Sequence, residues 1–326
     1  MVDNMNGDDV LVKVENLYRY YDEHCAVQGL NFELRKGEIL GFLGPNGAGK
    51  TTTMQILSGN LAPSAGQILI NGIDILDQPK RAKACIGYLP EQPPLYADLT
   101  VDEYLEYCAC LNRVPRNKHL TARSLSKERC GLKDMGSKLI SNLSKGYRQR
   151  VGIAQAIIHT PAVVILDEPT VGLDPIQIRE IRSLIVELGK EHGVILSTHI
   201  LPEVQTVCSR VQIIHKGRLV FNDDLAGLTR RMQSTSLLLT CRQLPEQAVI
   251  RALPGVISVE LLGNQQLRVH FNAGNNPAEI IAAEVIKRGW GLLELIPEHK
   301  SLEQIFVELT TTDEASGTTM IQERAA

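Results

Sequence analysis

The feature that most constrains the fold is a glycine-rich loop between a short apolar run and a helix-compatible segment. Residues 44–51 read GPNGAGKT and fit the pattern G-x-x-x-x-G-K-[ST] in full. The apolar run 39–43 predicts a strand before the loop, and residues 51–57 predict a helix after it. Glycines let backbone N–H groups turn inward around an anion, and the helix adds its positive N-terminal end. The stretch therefore predicts a nucleotide phosphate site in an α/β domain.

Within this loop, two side chains have predicted roles with ATP and Mg²⁺. Lys50 would reach the β- and γ-phosphate oxygens, and the Thr51 hydroxyl would coordinate Mg²⁺. The same pattern arises by chance in on the order of one chain in a hundred of this length. The strand before it and the helix after it argue against chance. The residues predicted to surround the phosphates are Gly44, Pro45, Asn46, Gly47, Ala48, Gly49, Lys50, Thr51 and Thr52.

Composition and charge narrow the class of protein. The chain has 326 residues, 44% hydrophobic and 22% charged, which suits a soluble protein with one large core and a second, smaller domain. Its net charge of -3 argues against a dedicated nucleic-acid-binding protein, so no nucleic-acid partner is expected. The longest apolar runs are far below the roughly 18 residues that cross a bilayer. The N-terminus also lacks signal-peptide features. We expect a cytosolic protein, or one held at a membrane by something other than a spanning segment of its own.

The seven cysteines are scattered along the chain. Cys108 and Cys110 lie close together, but no CxxC pair or Cys/His cluster has the spacing of metal ligands. The pattern predicts free, buried thiols in a reducing compartment.

Short apolar strands alternate with helical segments over residues 1–228, which predicts an α/β domain with a largely parallel sheet. Residues 176–189 predict a helix. Helix-compatible segments dominate the stretch 99–155, where no convincing strand pattern appears, and this predicts a helical subdomain. The predicted strands are 10–17, 26–34, 39–43, 67–70, 85–89, 163–167, 194–197 and 211–215.

Residues 112–150 are strongly basic, with eleven Lys and Arg against two Asp and Glu. The favoured interpretation is a solvated face of the protein. The alternative is attraction to an anionic partner or a membrane surface.

Residues 229–310 predict a second, smaller domain. Strands at 235–241, 257–262, 266–271 and 292–297 alternate with helices at 245–253 and 277–288. The order β-α-β-β-α-β is typical of a ferredoxin-like fold. A last helix is predicted at 302–309, before a flexible tail at 311–326. The domain carries no recognisable chemistry, and a packing or dimerisation role is favoured over ligand sensing.

Two acids end the apolar run 163–167. A buried strand delivers Asp167 to the carboxyl edge of the sheet, where ligands of open α/β sheets bind. Asp167 would hold Mg²⁺ through a water molecule, and Glu168 would accept a proton from an attacking water. His199 follows another predicted strand. A lone histidine there is more often structural, but this position would allow contact with the γ-phosphate.

In chain order the motifs are the phosphate loop, LSKGY, ILDEP, GLD and STH. This set resembles the ATP-binding subunit of ABC transporters over residues 10–225. The resemblance implies a P-loop ATPase with a helical subdomain that works as a dimer. It implies adenine stacking on Tyr21, with Tyr20 as the alternative, a subunit-linking role for Asp174 and a switch role for His199. The signature that would grip the γ-phosphate bound by the second subunit comprises Ser144, Lys145, Gly146 and Tyr147.

Two departures from the family pattern refine the resemblance. Lys145 and Tyr147 replace the usual Gly and Gln of the signature. In an earlier loop, which normally carries a Gln that senses the γ-phosphate, Glu91 takes the Gln position. Gln92 is one residue further on, and either Glu91 or Gln92 would coordinate Mg²⁺ or water. Both departures resemble those of ATPases paired with small drug-, lipid- or gliding-motility-type exporter permeases.

The resemblance implies a specific function. The chain would be an ATP-hydrolysing motor at the cytoplasmic face of the membrane. Two copies, as a homodimer, would close head-to-tail around two ATP and drive export through a separate permease. A soluble non-transport ABC ATPase acting on ribosomes or DNA is the alternative. The single phosphate loop and the lack of sustained heptads disfavour it. A catalytically silent subunit conflicts with the presence of Lys50, Asp167, Glu168 and His199.

Overall fold

The computed structural model describes residues 9–263, 265–272 and 275–299. The chain divides into two compact units, Met1–Leu225 and Ala226–Ala326. The predicted helix 302–309 and the predicted tail 311–326 lie outside the described residues. Within the described ranges, no helix is both long and apolar enough to cross a membrane.

A six-stranded, mostly parallel sheet forms the centre of the first unit. Its order is β10-β9-β3-β8-β7-β6, and only the edge strand β10 runs antiparallel to its neighbour. The strands are β3 (Ile39–Leu43), β6 (Ile86–Leu89), β7 (Val163–Asp167), β8 (Gly193–Thr198), β9 (Arg210–His215) and β10 (Arg218–Asp224). Every residue of β3, β7 and β8 is buried, as expected for strands covered on both faces. The predicted largely parallel sheet is confirmed.

A separate antiparallel sheet packs on the same core. Its strands, in the order β2-β1-β4-β5, are β1 (Val10–Tyr21), β2 (His24–Arg35), β4 (Ala65–Ile70) and β5 (Ile73–Asp74). Burial alternates along β1 and β2, because one face meets the core and the other meets solvent. Leu30 of this sheet, Phe42 of the parallel sheet and Met54 of helix α1 (Lys50–Leu57) belong to one hydrophobic cluster. The sequence pattern predicts three of these strands but not their separation into a second sheet.

Helices cover the parallel sheet and build the region between residues 99 and 155. All of that region is described, and it contains helices and 3₁₀ turns but no strand. Its first helix begins with a capping box, in which Thr100 and Glu103 each accept a hydrogen bond from the other's backbone N–H. The helices of the first unit after α1 are α2 (Pro79–Ala84), α3 (Val101–Leu111), α4 (His119–Arg129), α5 (Lys145–Ile157), α6 (Pro175–Gly189) and α7 (Leu201–Val207). Helix α8 (Leu225–Met232) follows β10 in the chain, at the boundary between the two units.

The second unit contains a four-stranded antiparallel sheet in the order β12-β13-β11-β14. Two helices alternate with the strands in the order β-α-β-β-α-β, so the predicted ferredoxin-like fold is confirmed. A small core that includes Leu239, Val269 and Val285 holds the helices on one face of the sheet. The elements are β11 (Gln233–Cys241), α9 (Gln247–Arg251), β12 (Val256–Gly263), β13 (Gln266–Phe271), α10 (Ala278–Lys287) and β14 (Leu292–His299).

Candidate active site

The glycine-rich loop joins β3 to α1, as predicted, and two of its glycines are required by close packing. Gly49 has a φ of 103°, and a Cβ on this residue would overlap the Ala26 carbonyl oxygen. A Cβ on Gly44 would lie 2.5 Å from the Ile214 carbonyl oxygen. The loop therefore packs closely against neighbouring backbone on one side, and this packing restricts its conformation where it enters α1.

Lys50 is the first residue of α1 and is almost fully buried. Its Nζ donates hydrogen bonds to the carbonyl oxygens of Gly44 at 2.9 Å and Pro45 at 3.3 Å. The same ammonium group lies 3.4 Å from Glu168 Oε1. The lysine charge is thus held inside the loop and next to the carboxylate that follows β7.

Asp167, the last residue of β7, is fully buried. Neither of its carboxylate oxygens has a hydrogen-bond partner among the described residues. Burial raises the pKa of this carboxyl group, and the nearby Ser197 and Thr51 hydroxyls oppose that rise without forming regular hydrogen bonds to it. A buried, unpartnered carboxylate beside a threonine hydroxyl fits the oxygen ligands that Mg²⁺ prefers.

Glu168 lies next to Lys50 and His199. It is buried, and its φ of 49° is in the left-handed region, which is uncommon for a residue other than glycine and is frequent at functional sites. Its backbone N–H donates to the Ser197 carbonyl at 2.9 Å, which continues the pairing of β7 with β8. His199 Nδ1 donates to the Glu168 carboxylate, at 3.1 Å from Oε1 and 3.0 Å from Oε2. The strand ends therefore bring a lysine, a glutamate and a histidine into direct contact.

These groups line a cleft of about 530 Å³ at the carboxyl edge of the parallel sheet. Ten of the predicted site residues line the cleft. His24, which pairs with Tyr21 across the turn between β1 and β2, and Val171 also line it, and no motif in the sequence marked either. The predicted residues that line it are Tyr21, Asn46, Gly47, Gly49, Lys50, Thr51, Thr52, Glu168 and His199, together with Glu91 of the uncertain pair.

The structure distinguishes between the two candidates in each of two neighbouring pairs. Tyr21 lines the cleft, with the Arg19 guanidinium 4.6 Å from its ring centroid, whereas Tyr20 stacks on Tyr18. Glu91 lines the phosphate cleft, whereas Gln92 lines a second cleft of about 500 Å³, to which Glu91 also contributes. The geometry favours Tyr21 and Glu91 as the residues that face a bound nucleotide.

The signature residues do not line their own chain's phosphate cleft. Ser144 is the N-cap of α5, and its Oγ accepts a hydrogen bond from the Tyr147 N–H at 3.4 Å. Gly146 packs against α6, where a Cβ on it would lie 2.5 Å from Gln177 Cδ. Lys145 and Tyr147 are exposed. The N-terminus of α5 therefore exposes Ser144, Lys145 and Tyr147 outside the chain's own phosphate cleft.

Asp174 has a local structural role at the start of α6. Its Oδ1 accepts hydrogen bonds from the N–H groups of Ile176 at 3.0 Å and Gln177 at 2.9 Å, so it is the N-cap of that helix. The sequence predicts a turn into a helix here, and the family resemblance implies an intersubunit role for Asp174; the N-cap is an additional role, which Asp before Pro at a helix start signals.

Part of the basic segment 112–150 is neutralised by acids outside it. Arg123 and Lys127 pair with Asp102, Arg129 pairs with Glu191, and Arg150 pairs with Glu180. These pairs support the favoured interpretation of a solvated face.

The site and fold define a class of protein. A phosphate loop, an Asp–Glu pair and a histidine at the carboxyl edge of a mostly parallel sheet are the parts of a P-loop ATPase. The profile of the ABC transporter family matches residues 27–171.

Similarity to known proteins identifies the family of this chain. The uncharacterised ABC transporter ATP-binding protein YxlF of Bacillus subtilis (strain 168) is 31% identical over 299 residues, which span 92% of this chain and 99% of YxlF. The bacitracin transport ATP-binding protein BcrA of Bacillus licheniformis is 33% identical over 301 residues, 92% of this chain and 97% of BcrA. The structure of cbiO1 from Clostridium perfringens, part of the cbiONQ ABC transporter complex, is 32% identical with a TM-score of 0.62 and covers 68% of this chain and 90% of cbiO1.

The chain therefore belongs to the ATP-binding proteins of ABC transporters. It is an ATP-binding and ATP-hydrolysing subunit of such a transporter, as its motifs predicted.

Proposed function

We propose that this chain hydrolyses Mg²⁺-bound ATP as one half of a head-to-tail homodimer and so drives export through a separate permease. The observation that carries the proposal is the contact of Lys50, Glu168 and His199 at the phosphate loop. Glu168 is buried between a cation and an imidazole, at the carboxyl edge where a γ-phosphate would lie.

Each of these side chains has one task in the reaction. Glu168 accepts a proton from the water molecule that attacks the γ-phosphorus. The bond between the γ-phosphorus and the oxygen that bridges the β- and γ-phosphates then breaks, which gives ADP and phosphate. Lys50 leaves the Gly44 and Pro45 carbonyls and binds the β- and γ-phosphate oxygens. His199 donates to the γ-phosphate and senses its presence. Tyr21 stacks on the adenine.

The unpartnered carboxylate of Asp167 indicates where the metal ion would bind. Thr51 would bind Mg²⁺ through its hydroxyl and Asp167 through a water molecule, which gives the buried carboxylate a partner. Glu91, which lines the same cleft, is the additional candidate ligand. The ion, when bound, neutralises charge on the phosphate oxygens during transfer.

The signature supplies the argument for a dimer. Ser144, Lys145, Gly146 and Tyr147 do not line the chain's own cleft, so they contribute to ATP binding only if another subunit presents its cleft to them. BcrA is a transport protein by name, and cbiO1 is part of a multi-subunit transporter complex, which supports a separate permease as partner. A permease partner places the subunit at the cytoplasmic face of the membrane, where ATP is available.

Glu168→Gln tests the general base. The amide keeps the shape of the side chain but accepts no proton, so turnover should fall at least a hundredfold while ATP still binds. Light scattering after size exclusion should then show an ATP-dependent dimer. Adding Lys50→Ala to the same variant is the control, and it should abolish the dimer. Hydrolysis at the parental rate by Glu168→Gln would show that another group is the base.

A mixture of two inactive variants tests the signature in trans. Ser144→Asp keeps an N-cap acceptor, because Asp caps helices as well as Ser, but it places a negative charge where phosphate should bind. Lys50→Ala disables the loop and leaves the signature intact. Mixed dimers contain one complete site, so the mixture should regain ATPase activity that neither variant shows alone. A mixture as inactive as its components would contradict a shared site, and Ser144→Thr is the matched control.

The permease partner requires a separate test. The tagged chain is captured from detergent-solubilised membranes of its source, and co-purifying proteins are identified by mass spectrometry. We expect a multi-spanning membrane protein in stoichiometric amount. ATPase activity without such a partner would retain the catalytic proposal and reject the transport role.

A further inference from the structure

Three metal-ligand side chains meet on two helices of the first unit, away from the phosphate cleft. Glu106 and Cys110 are one turn apart on α3, so they share a helix face, and His119 is the first residue of α4. The ligand atoms of the three residues all lie within 4.8 Å of one another. Cys110 Sγ lies 4.0 Å from His119 Nδ1, and Glu106 Oε1 lies 2.7 Å from the same nitrogen.

The histidine is oriented as a metal-bound histidine would be. His119 is buried, and its Nε2 lies 2.7 Å from the Val114 carbonyl oxygen. A carbonyl oxygen only accepts, so Nε2 carries a proton. Nδ1 faces the cysteine and the glutamate, and without an ion it donates a hydrogen bond to Glu106 Oε1. A bound ion would displace that Nδ1 proton to solvent. In metal sites the second ring nitrogen commonly donates to a backbone carbonyl in this way, which fixes the ring orientation.

The glutamate also has its second oxygen occupied. Arg123 Nη1 donates to Glu106 Oε2 at 3.3 Å, which leaves Oε1 turned toward the histidine. The positive charge of the Arg123 guanidinium would repel a bound cation. The two negative charges that a thiolate and a carboxylate bring to the site would offset this repulsion in part.

The ligand separations are near those of a tetrahedral zinc site. With Zn–S of about 2.3 Å and Zn–N and Zn–O of about 2.1 Å, a sulfur–nitrogen edge is about 3.6 Å and a nitrogen–oxygen edge about 3.4 Å. The observed 4.0 Å and 2.7 Å therefore each need to change by less than 1 Å. Cys110 is exposed and Glu106 is half-buried, so small side-chain rotations can supply this movement.

We propose that Glu106, Cys110 and His119 bind one zinc-like divalent ion through a carboxylate, a thiolate and an imidazole, with water in the fourth position. The sulfur and nitrogen donors favour zinc over Mg²⁺ or Ca²⁺, which prefer oxygen ligands. The exposed cysteine gives the ion a path from solvent. Binding would join α3 to α4 and close the loop between them, so its direct consequence is stabilisation of the helical region.

The test uses the full chain, free of any histidine tag and treated with chelator, and adds Co²⁺ as a spectroscopic substitute for zinc. One equivalent of Co²⁺ should give a thiolate-to-cobalt charge-transfer band and d–d bands of tetrahedral intensity. Cys110→Ser should abolish the thiolate band and, because Cys110 is exposed, leave the fold intact. The control is Cys85→Ser, which removes another accessible thiol outside the cluster.

Zinc affinity is then measured by competition with a chromophoric chelator. We expect Cys110→Ser and Glu106→Gln each to weaken zinc binding at least tenfold, with Cys85→Ser unchanged. Zinc should also raise the thermal midpoint of the parental chain but not of Cys110→Ser. Equal zinc affinity in Cys110→Ser and Cys85→Ser, or a cobalt spectrum without a thiolate band, would overturn the proposal and leave only a Glu106–His119 ion pair.

Discussion

Glu203 holds together the two chain segments that carry Glu168 and His199. It lies on α7, is 1% exposed, and accepts a hydrogen bond from Thr198 Oγ1 at 2.8 Å and another from Thr170 Oγ1. Thr198 directly precedes His199, and Thr170 follows Glu168 by two residues. We therefore expect Glu203 to be a positioning residue for the glutamate–histidine pair, although it does not line the cleft.

The cost of removing this carboxylate follows from its partners. A hydrogen bond to a charged group contributes about 1.5–3 kcal/mol, and Glu203 accepts two. Arg182 Nη2 lies 3.7 Å from Glu203 Oε1 and would lose its counter-charge. Glu203→Ala should therefore lower the free energy of unfolding by about 3–5 kcal/mol, the range for breaking a buried charged pair. Glu203→Gln keeps the shape and one acceptor oxygen, so about half of that loss is expected.

The effect on catalysis should exceed the effect on nucleotide binding. Without the Glu203 carboxylate, the two segments that it joins are less constrained, so Glu168 and His199 can shift. Misplacement of a catalytic group by about 1 Å can reduce turnover on the order of a hundredfold. The phosphate loop does not contact Glu203 through any hydrogen bond described, so KM for ATP should change little. Glu203→Gln should thus lower kcat at least tenfold with KM within about twofold of the parental value.

The assay combines thermal unfolding with steady-state ATPase kinetics at a temperature where each variant is folded. Thr206→Ala is the control, because Thr206 is an exposed residue of the same helix and its hydroxyl donates a hydrogen bond to the Pro202 carbonyl oxygen within that helix. A merely structural role would lower the midpoint and leave kcat per folded molecule unchanged. That result, or parental kcat in Glu203→Gln, would refute the positioning argument.

Three further changes have expected outcomes. Because the folded-state pKa of Asp167 is raised, the nucleotide-free protein should gain stability as pH falls through that pKa, and Asp167→Asn should remove this dependence in thermal unfolding measured across pH. Asp174→Ala removes the α6 cap and should cost about 1 kcal/mol in denaturant unfolding, whereas Asp174→Asn should cost little. Gly87→Ala would drive a Cβ into the Ala156 carbonyl oxygen and should cost several times more than the uncrowded Gly263→Ala.

The central strands could be predicted because their sequence signal is local. A strand buried on both faces is a continuous apolar run, and the bounds of β3 and β7 match the predicted ones. The first two strands are longer than predicted, since their exposed residues dilute the apolar pattern. The division into two sheets depends on pairing between distant segments, such as β1 with β4, and no local pattern encodes it.

The site could be predicted where a motif fixes the role. The phosphate loop and the Asp–Glu pair are motifs, and the cleft brings Lys50, Thr51 and Glu168 together. Contacts that depend on packing could not be predicted. Glu203 meets Thr170 from 33 residues away, and His119 meets Glu106 from 13 residues away, so neither pair has a recognisable spacing.

The packing of Lys145 gives a physical account of one unusual signature residue. A Cβ on Gly172 would overlap Lys145 Nζ, so the lysine side chain fills the space that Gly172 leaves open. Gly172 precedes Asp174, the cap of α6, and Gly146 packs on Gln177 of the same helix. The first turn of α5 is therefore joined to the start of α6 at two points within one chain. A glycine at position 145 would remove one of these contacts, so the lysine side chain links the first turn of α5 to the turn that leads into Asp174.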